Sequence, residues 1–203
     1  MTPHSNHYGA ILADPPWDHI TWSHKGKGRS AAAHYECMPL ADIKAMPVKE
    51  WAAKNCVLFL WTTDPMLENA LGVIHAWGFE FKTIGFVWAK TNRRNGGFFM
   101  GTGHWTRANP EVCLLATRGS PKRLSRSVRE LIVAPRREHS RKPDEIYASI
   151  EALVAGPYLE LFARFPRDAW DSVGRQEGIQ PRRWRSDSYP EPSPANGVQR
   201  QLP

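Results

Sequence analysis

The chain has 203 residues, enough for one domain with a sizeable core and not comfortably two. Hydrophobic residues make up 41% of it and aromatics 11%, with nine tryptophans, which excludes a disordered chain. No apolar run of 18 residues reads as a membrane span. The net charge is +7, and residues 118–142 hold nine Lys or Arg against two acids, so the surplus is concentrated in one segment. Such a segment is either the footprint of a polyanion binder or a solvated loop. The three cysteines, Cys37, Cys56 and Cys113, are widely spaced with no CxxC pair. Neither a disulfide framework nor a metal site is expected. The N-terminal MTPHSNHYGA shows no secretory signal pattern, and a reducing, cytoplasmic setting fits.

Ile11 to Ala13 reads as a short buried strand, extended backwards through Tyr8. Residues 18–38 are polar, contain glycine and lack a steady period, so a long loop is expected, of the kind that serves as a lid or binding loop. Pro39 to Lys54 has the spacing of helix. Cys56 to Trp61, CVLFLW, is apolar throughout, as in a strand buried on both faces. Pro65 to Trp77 reads as a helix ended by Gly78, Phe81 to Trp88 as a strand, and Lys90 to Thr106 as a second irregular loop. Glu111 to Thr117 is a further strand, followed by the basic segment with a brief apolar Leu131-Ile132-Val133. Pro143 to Ala155 is the clearest helix, with proline at its first position, acids in its first turn, and Ile146, Ile150, Leu153 and Val154 on one stripe. Tyr158 to Phe162 and Trp170 to Val173 are strands. The alternation predicts an α/β domain with a mostly parallel sheet covered on both faces. Residues 1–177 are expected to form that domain and residues 178–203 a flexible Pro/Ser/Arg-rich tail.

In open parallel sheets, ligands bind beyond the carboxyl ends of the strands. Asp14 stands at such an end and is followed by Pro15, Pro16 and Trp17. The prolines fix two φ angles and remove two backbone donors. What remains is a set of acceptors, the Asp14 carboxylate and the Pro15 carbonyl, beside the broad face of Trp17. Two acceptors and a stacking plate suit a planar group bearing an amine, such as adenine. They would orient the amine without an obligatory strong base. Chemistry on a base also requires it to leave the stack or to lie in a single strand.

The segments ILADPPWD, GHWTRANPEVCLLATRG, HSRKPDEIY and LELFAR, in that order, resemble the MT-A70-like family of S-adenosylmethionine-dependent adenine-N6 methyltransferases, and among them small bacterial or phage-type members. The resemblance covers roughly residues 9–177. It implies a Rossmann-like methyltransferase sheet in permuted order, with the catalytic DPPW strand first and the cofactor strand late. It implies that Asp14, Pro15, Pro16 and Trp17 form the catalytic motif. It further implies S-adenosylmethionine as cofactor, with Asp14, Lys142, Glu160, Phe162, Arg164 and Gln176 around it. Tyr35, His104 and Trp105 match aromatic positions that flank the target base, although Trp105 would equally serve to anchor its loop by packing. Arg93, Arg94 and Arg107 would meet phosphates, with Asn109 and Glu111 adjoining that loop, and Arg123, Arg126 and Arg129 would add basic contacts. Phe165, Pro166 and Arg167 stand where many members carry a histidine and an asparagine.

The expected reaction is methyl transfer to adenine N6 in DNA, by analogy with compact modification enzymes. The same reaction on RNA is the first alternative, and an inactive nucleic-acid-binding partner subunit the second. A homo- or heterodimer is compatible with either. No membrane partner is expected.

Overall fold

A computed structural model describes residues 5–17, 37–103, 105–137, 141–163, 165 and 167–173. Its strands are β1 (Tyr8–Ala13), β2 (Ala52–Thr62), β3 (Glu80–Thr91), β4 (Glu111–Arg118), β5 (Leu131–Pro135), β6 (Tyr158–Leu161) and β7 (Trp170–Val173). Its helices are α1 (Leu40–Ala45), α2 (Val48–Trp51), α3 (Leu67–Ala76) and α4 (Glu145–Leu153). The strands form one sheet in the order β5-β3-β4-β2-β1-β6-β7. The tail and nearly all of the loop expected at residues 18–38 lie outside the described residues.

The sheet is mixed rather than mostly parallel around β4. Pairings β1–β2, β1–β6, β6–β7 and β3–β5 are parallel, whereas β4 runs antiparallel to both β2 and β3. A parallel return needs a crossover, usually a helix. The described residues between β3 and β4 form no helix, so the chain folds back on itself. The consequence for function is positional. Glu111, the first residue of β4, pairs with Trp88 near the carboxyl end of β3, and its neighbour Val112 pairs with Thr62 at the carboxyl end of β2.

β1 is buried on both faces, which explains its unbroken apolar run. Ile11 and Ala13 join a core with Ile43 of α1, Val48 of α2 and Val73 and Ile74 of α3. Ala10 and Leu12 join a second core with Ile146 and Ile150 of α4. Asp14 continues the parity of Ala10 and Leu12. The expected cover on both faces holds over the central strands only. At the β5 edge, Ile132 and Ala134 are buried while Leu131 and Val133 remain 57% and 56% exposed.

Two further expectations need adjustment. The helical stretch after Pro39 stops at Trp51, because β2 is 11 residues long and begins at Ala52. The apolar Leu131-Ile132-Val133 is a true strand, β5, paired with Val87 to Thr91. Among the described residues, no helix is long and apolar enough to cross a membrane.

Candidate active site

Ala13 pairs with Leu60 on one side and Leu161 on the other, so Asp14 emerges where β1, β2 and β6 end together. Its carboxylate receives Lys142 Nζ at 2.8 Å on Oδ1 and 2.7 Å on Oδ2. Lys142 also reaches Glu111 Oε2 at 3.2 Å, and Lys90 Nζ meets Glu111 Oε1 at 2.5 Å. Four side chains, from the end of β1, from β3, from β4 and from the segment before α4, thus alternate in sign. Burial opposes the charge on Lys142, but the Asp14 and Glu111 carboxylates outweigh it and hold its pKa above the ordinary lysine value. Burial likewise opposes ionisation of Glu111, yet Lys142 and Lys90 keep its carboxyl below the usual range. The Cys113 thiol is pushed well up by burial and by the Asp14 charge, and burial takes Cys56 up to about 12, so both are inert core groups.

Two expectations at this motif are corrected. Trp17 offers no open stacking face. It is 4% exposed, packs in the core beside Ile43 and Met66, and donates its indole N–H to the Trp61 carbonyl at 3.1 Å. A large aromatic ring loses more free energy in water than it gains at an open edge. The Pro15 carbonyl is not simply free: it accepts the Trp17 N–H at 2.8 Å, and the Pro16 carbonyl accepts the Met38 N–H at 2.9 Å. The two prolines therefore clamp the turn with their carbonyls as well as their rings.

A pocket opens beside Asp14 over β1, β6 and the first turns of α4. Leu12, Trp61, Lys142, Tyr147, Glu160 and Phe162 all line it. Glu160 is carried by β6 and accepts the Tyr147 hydroxyl at 2.8 Å. Burial raises its pKa to about 7 despite that hydrogen bond and the nearby Arg167 charge. Tyr147 is itself raised, by burial and then by the Glu160 charge. Phe162 has φ 64°, a left-handed conformation uncommon outside glycine, and its N–H donates to Val173 at 2.8 Å. Asp144 ties the rim together through Arg141 at 2.9 Å and Arg167 at 2.9 Å. Among the described residues, two buried polar atoms near the end of β2 have no partner, Trp61 Nε1 and Thr63 Oγ1. Buried donors are normally satisfied, so Trp61 Nε1 on the pocket wall is a ready donor for a ligand.

The second loop is more regular than expected. Thr91 bridges Phe98, Asn92 N–H donates to Gly97 at 2.8 Å, and the segment turns back as a hairpin. Asn109 fastens it. Its Oδ1 accepts the Lys90 N–H at 3.0 Å, while its amide donates to the Lys90 carbonyl at 2.9 Å and to the Phe99 carbonyl. Arg93 and Arg94 stand at the hairpin tip and are exposed, as is Arg107. The Trp105 ring is fully exposed, so packing does not anchor its loop.

Arg123, Arg126 and Arg129 are exposed but are not brought to Asp14. Arg123 bridges Val154, and Leu124 N–H donates to Leu153 at 2.7 Å, beyond the last turn of α4 and at the opposite end of the sheet. Arg129 precedes the edge strand β5, which is separated from β1 by β3, β4 and β2. The basic segment is thus divided, and only its end from Arg136 onward reaches the active-site side. Tyr35, His104, Arg164 and Gln176 lie outside the described residues.

Sequence reasoning did not assign roles to Glu111, Lys90 or Trp61. The run of two acids and two lysines is visible only once β4 is known to be antiparallel. The signal available in the sequence was the Asn-Pro-Glu placed directly before an apolar strand. Among the described residues, no group of His, Cys, Asp and Glu stands together to hold a metal.

Comparison with known proteins places this geometry. A family profile described as MT-A70 matches residues 8–176. The chain is 33% identical over 188 residues to the type II methyltransferase M.MunI of Mycoplasma sp, covering 82% of this chain and 76% of that protein. It is 32% identical to an N(6)-adenosine-methyltransferase MT-A70-like protein of Arabidopsis thaliana, covering 91% of this chain and 27% of that protein. It is 32% identical to the N(6)-adenosine-methyltransferase catalytic subunit METTL3 of Homo sapiens, covering 85% and 29%. The chain therefore spans about three quarters of the Mycoplasma relative and under a third of the two eukaryotic ones.

Proposed function

This chain belongs to the MT-A70 family of S-adenosylmethionine-dependent methyltransferases, and from that premise we propose that it methylates the exocyclic N6 amine of adenine in DNA. The observation that carries the reading is Asp14 at the shared end of β1, β2 and β6, facing both Lys142 and the pocket floored by Glu160. In this reading the sheet is the permuted Rossmann-like form, with β1 as catalytic strand and β6 as cofactor strand. The methyltransferase domain lies within residues 1–177.

The pocket's donors and acceptors fit the cofactor. In this reading Lys142, whose ammonium already bridges Asp14 and Glu111, would share its charge with the cofactor's carboxylate, and Glu160 offers an acceptor for hydroxyl groups. Phe162 and Leu12 supply apolar surface, and Trp61 an indole N–H without a partner among the described residues. When bound, S-adenosylmethionine supplies an electrophilic methyl group on a sulfonium. Asp14 accepts an N–H of the amine, and the turn fixed by Pro15 and Pro16 holds that acceptor still. Orientation of the nitrogen lone pair, rather than prior deprotonation, is the contribution of these residues. Glu111 and Lys90 keep Lys142 in place between the amine and cofactor ends of the site.

DNA is placed ahead of RNA on the analogy of the Mycoplasma type II methyltransferase, which this chain matches over most of its length. The relatives named as adenosine methyltransferases support RNA as the alternative substrate. The intact Asp14-Pro15-Pro16-Trp17 and the Lys142 contact argue against an inactive partner subunit. The deciding experiment is labelled methyl transfer to unmethylated duplex DNA, single-stranded DNA and RNA, with nucleosides identified after digestion. N6-methyladenine in DNA is expected. Label on cytosine, or on RNA alone, overturns the proposal.

A further inference from the structure

A second cleft lies where the β3 hairpin meets the end of β5, and its Arg137 reaches Asp144 on the rim of the Asp14 pocket. Asn92, Arg93, Arg94, Asn95, Arg136 and Arg137 line it. It is built from two segments locked together. Arg136 N–H donates to the Thr91 carbonyl at 3.1 Å, and Arg93 Nε donates back to the Arg136 carbonyl at 3.0 Å. On the hairpin side, the Asn92 amide donates to the Phe98 carbonyl at 3.3 Å. The Arg136 guanidinium lies 3.7 Å from the Phe99 ring centroid, which holds it against the hairpin.

Arg137 is held only loosely by the carboxylates beside it in space. It meets Glu145 at 3.5 Å and Asp144 at 3.8 Å, both long contacts, and its buried Nε–H has no acceptor among the described residues. Asp144 is already shared with Arg141 at 2.9 Å and Arg167 at 2.9 Å. One carboxylate thus serves three guanidiniums. Four arginines lining one cleft on a fixed surface present guanidinium donors and a positive potential that suit an anionic ligand.

The placement indicates which anion. The Asp14 pocket opens over β1 and β6, whereas this cleft stands at β3 and β5, and the sequence Asp14, Lys142, Glu111, Lys90 runs from one towards the other. Lys90 is two residues before Asn92 at the cleft. We propose that the cleft formed by Arg93, Arg94, Arg136 and Arg137 is the docking site for backbone phosphates of the nucleic-acid strand that presents the target adenine. That strand enters from the β3–β5 side, while the cofactor occupies the β1–β6 side. The inference rests on the methyltransferase reading and refines it. It also moves the phosphate contacts away from Arg123, Arg126 and Arg129.

The test is a fluorescence-anisotropy titration of the full chain with a labelled, unmethylated, adenine-containing DNA strand over a range of salt. The double variant Arg94→Glu, Arg136→Glu is compared with Arg123→Glu, Arg126→Glu. Circular dichroism checks the fold of both. The cleft variant should bind at least tenfold more weakly, with its salt slope reduced by roughly 0.7 for each single-strand phosphate that the protein no longer neutralises. The Arg123, Arg126 variant should keep the wild-type slope. A strand with neutral methylphosphonate linkages should weaken wild-type binding but leave the cleft variant little changed, since the two alterations remove the same interaction. An unchanged slope in the cleft variant, or an equal loss in the other variant, overturns the proposal. Free inorganic pyrophosphate displacing the strand from wild type alone, with no methylphosphonate effect, also overturns it in favour of a small-anion site. Methyl transfer measured in parallel separates the two readings. Transfer to adenine with an unchanged slope removes the cleft only, and a cleft-dependent slope without transfer to adenine removes the catalytic reading only.

Discussion

Lys142 Nζ lies within hydrogen-bond distance of both carboxylate oxygens of Asp14, although 128 residues of chain separate them. This contact pins the segment before α4 onto the end of β1. Glu111 holds the same ammonium from the side, and Lys90 holds Glu111. Two carboxylates and two ammonium groups leave the network neutral, so it tolerates partial burial. Removing one member strands a charge whose partner is gone.

Asp14→Asn keeps the volume and one acceptor but removes the charge. The fold should survive, and methyl transfer should fall by about 100-fold or more, the scale seen when one preorganised electrostatic group is lost. Cofactor binding should fall much less. Labelled transfer beside a calorimetric cofactor titration measures both. Transfer within threefold of wild type would remove Asp14 from the mechanism.

Glu111 and Glu160 should respond to pH with opposite signs. Glu111 is held below the usual carboxylate range, against the effect of burial, by Lys142 and Lys90. Its contribution to stability is present above the unfolded value and is lost as pH falls through the depressed one. Glu160 is raised to about 7, chiefly by burial. Its contribution is present below the unfolded value and is lost as pH rises through 7. Melting temperatures between pH 4 and 9 therefore have two separable limbs. Glu160→Gln should flatten the decline between pH 5 and 8. Glu111→Gln should lower stability at neutral pH and flatten the acid limb. Identical profiles for both variants would refute the assignment.

Much of this site is legible in the sequence because its parts are local. An apolar run stopped by Asp-Pro-Pro defines both the strand end and the acceptor, and Lys142 stands just before the best-patterned helix. The remainder depends on pairings between distant segments. Period-two burial of β5 is hidden among arginines, and only its pairing with β3 reveals a strand. The reversal of β4 carries Glu111 to the site, and residue spacing contains no sign of strand direction. Trp17 departs from expectation for a related reason: a tryptophan beside a catalytic acid serves equally as plate or as packing, and α1 and β2 decide for packing. Charge density also hides that the basic run is divided, with Arg123 beside the last turn of α4 and Arg137 beside its first.

Asn109 substitutes for a missing strand. Its amide satisfies both the N–H and the C=O of Lys90 and reaches the Phe99 carbonyl as well. Asn109→Ala should cost about 1–3 kcal/mol, since these backbone groups are partly buried and lose their partners. Hydrogen exchange gives the specific readout. The Lys90 amide should exchange faster, while amides of β1 and β6 keep their protection. Unchanged protection at Lys90 would show that the clamp is not formed in solution.

Trp61 and Trp17 should separate cleanly by their indole nitrogens. The Trp17 N–H is already used, at 3.1 Å from the Trp61 carbonyl, whereas the Trp61 N–H is buried on the pocket wall without an acceptor among the described residues. A bound cofactor with acceptor atoms would complete it. A neutral hydrogen bond contributes about 0.5–1.5 kcal/mol net, so Trp61→Phe should weaken S-adenosylmethionine binding by roughly threefold to tenfold. Trp17→Phe loses an internal bond instead, so it should lower the melting temperature of the free protein and leave cofactor affinity nearly unchanged. Calorimetric titration and thermal melts of the two variants decide the matter. Equal cofactor affinity in wild type and Trp61→Phe would mean that the indole N–H stays unpaired in the complex, and that its role is packing against Lys142 and Leu12 alone.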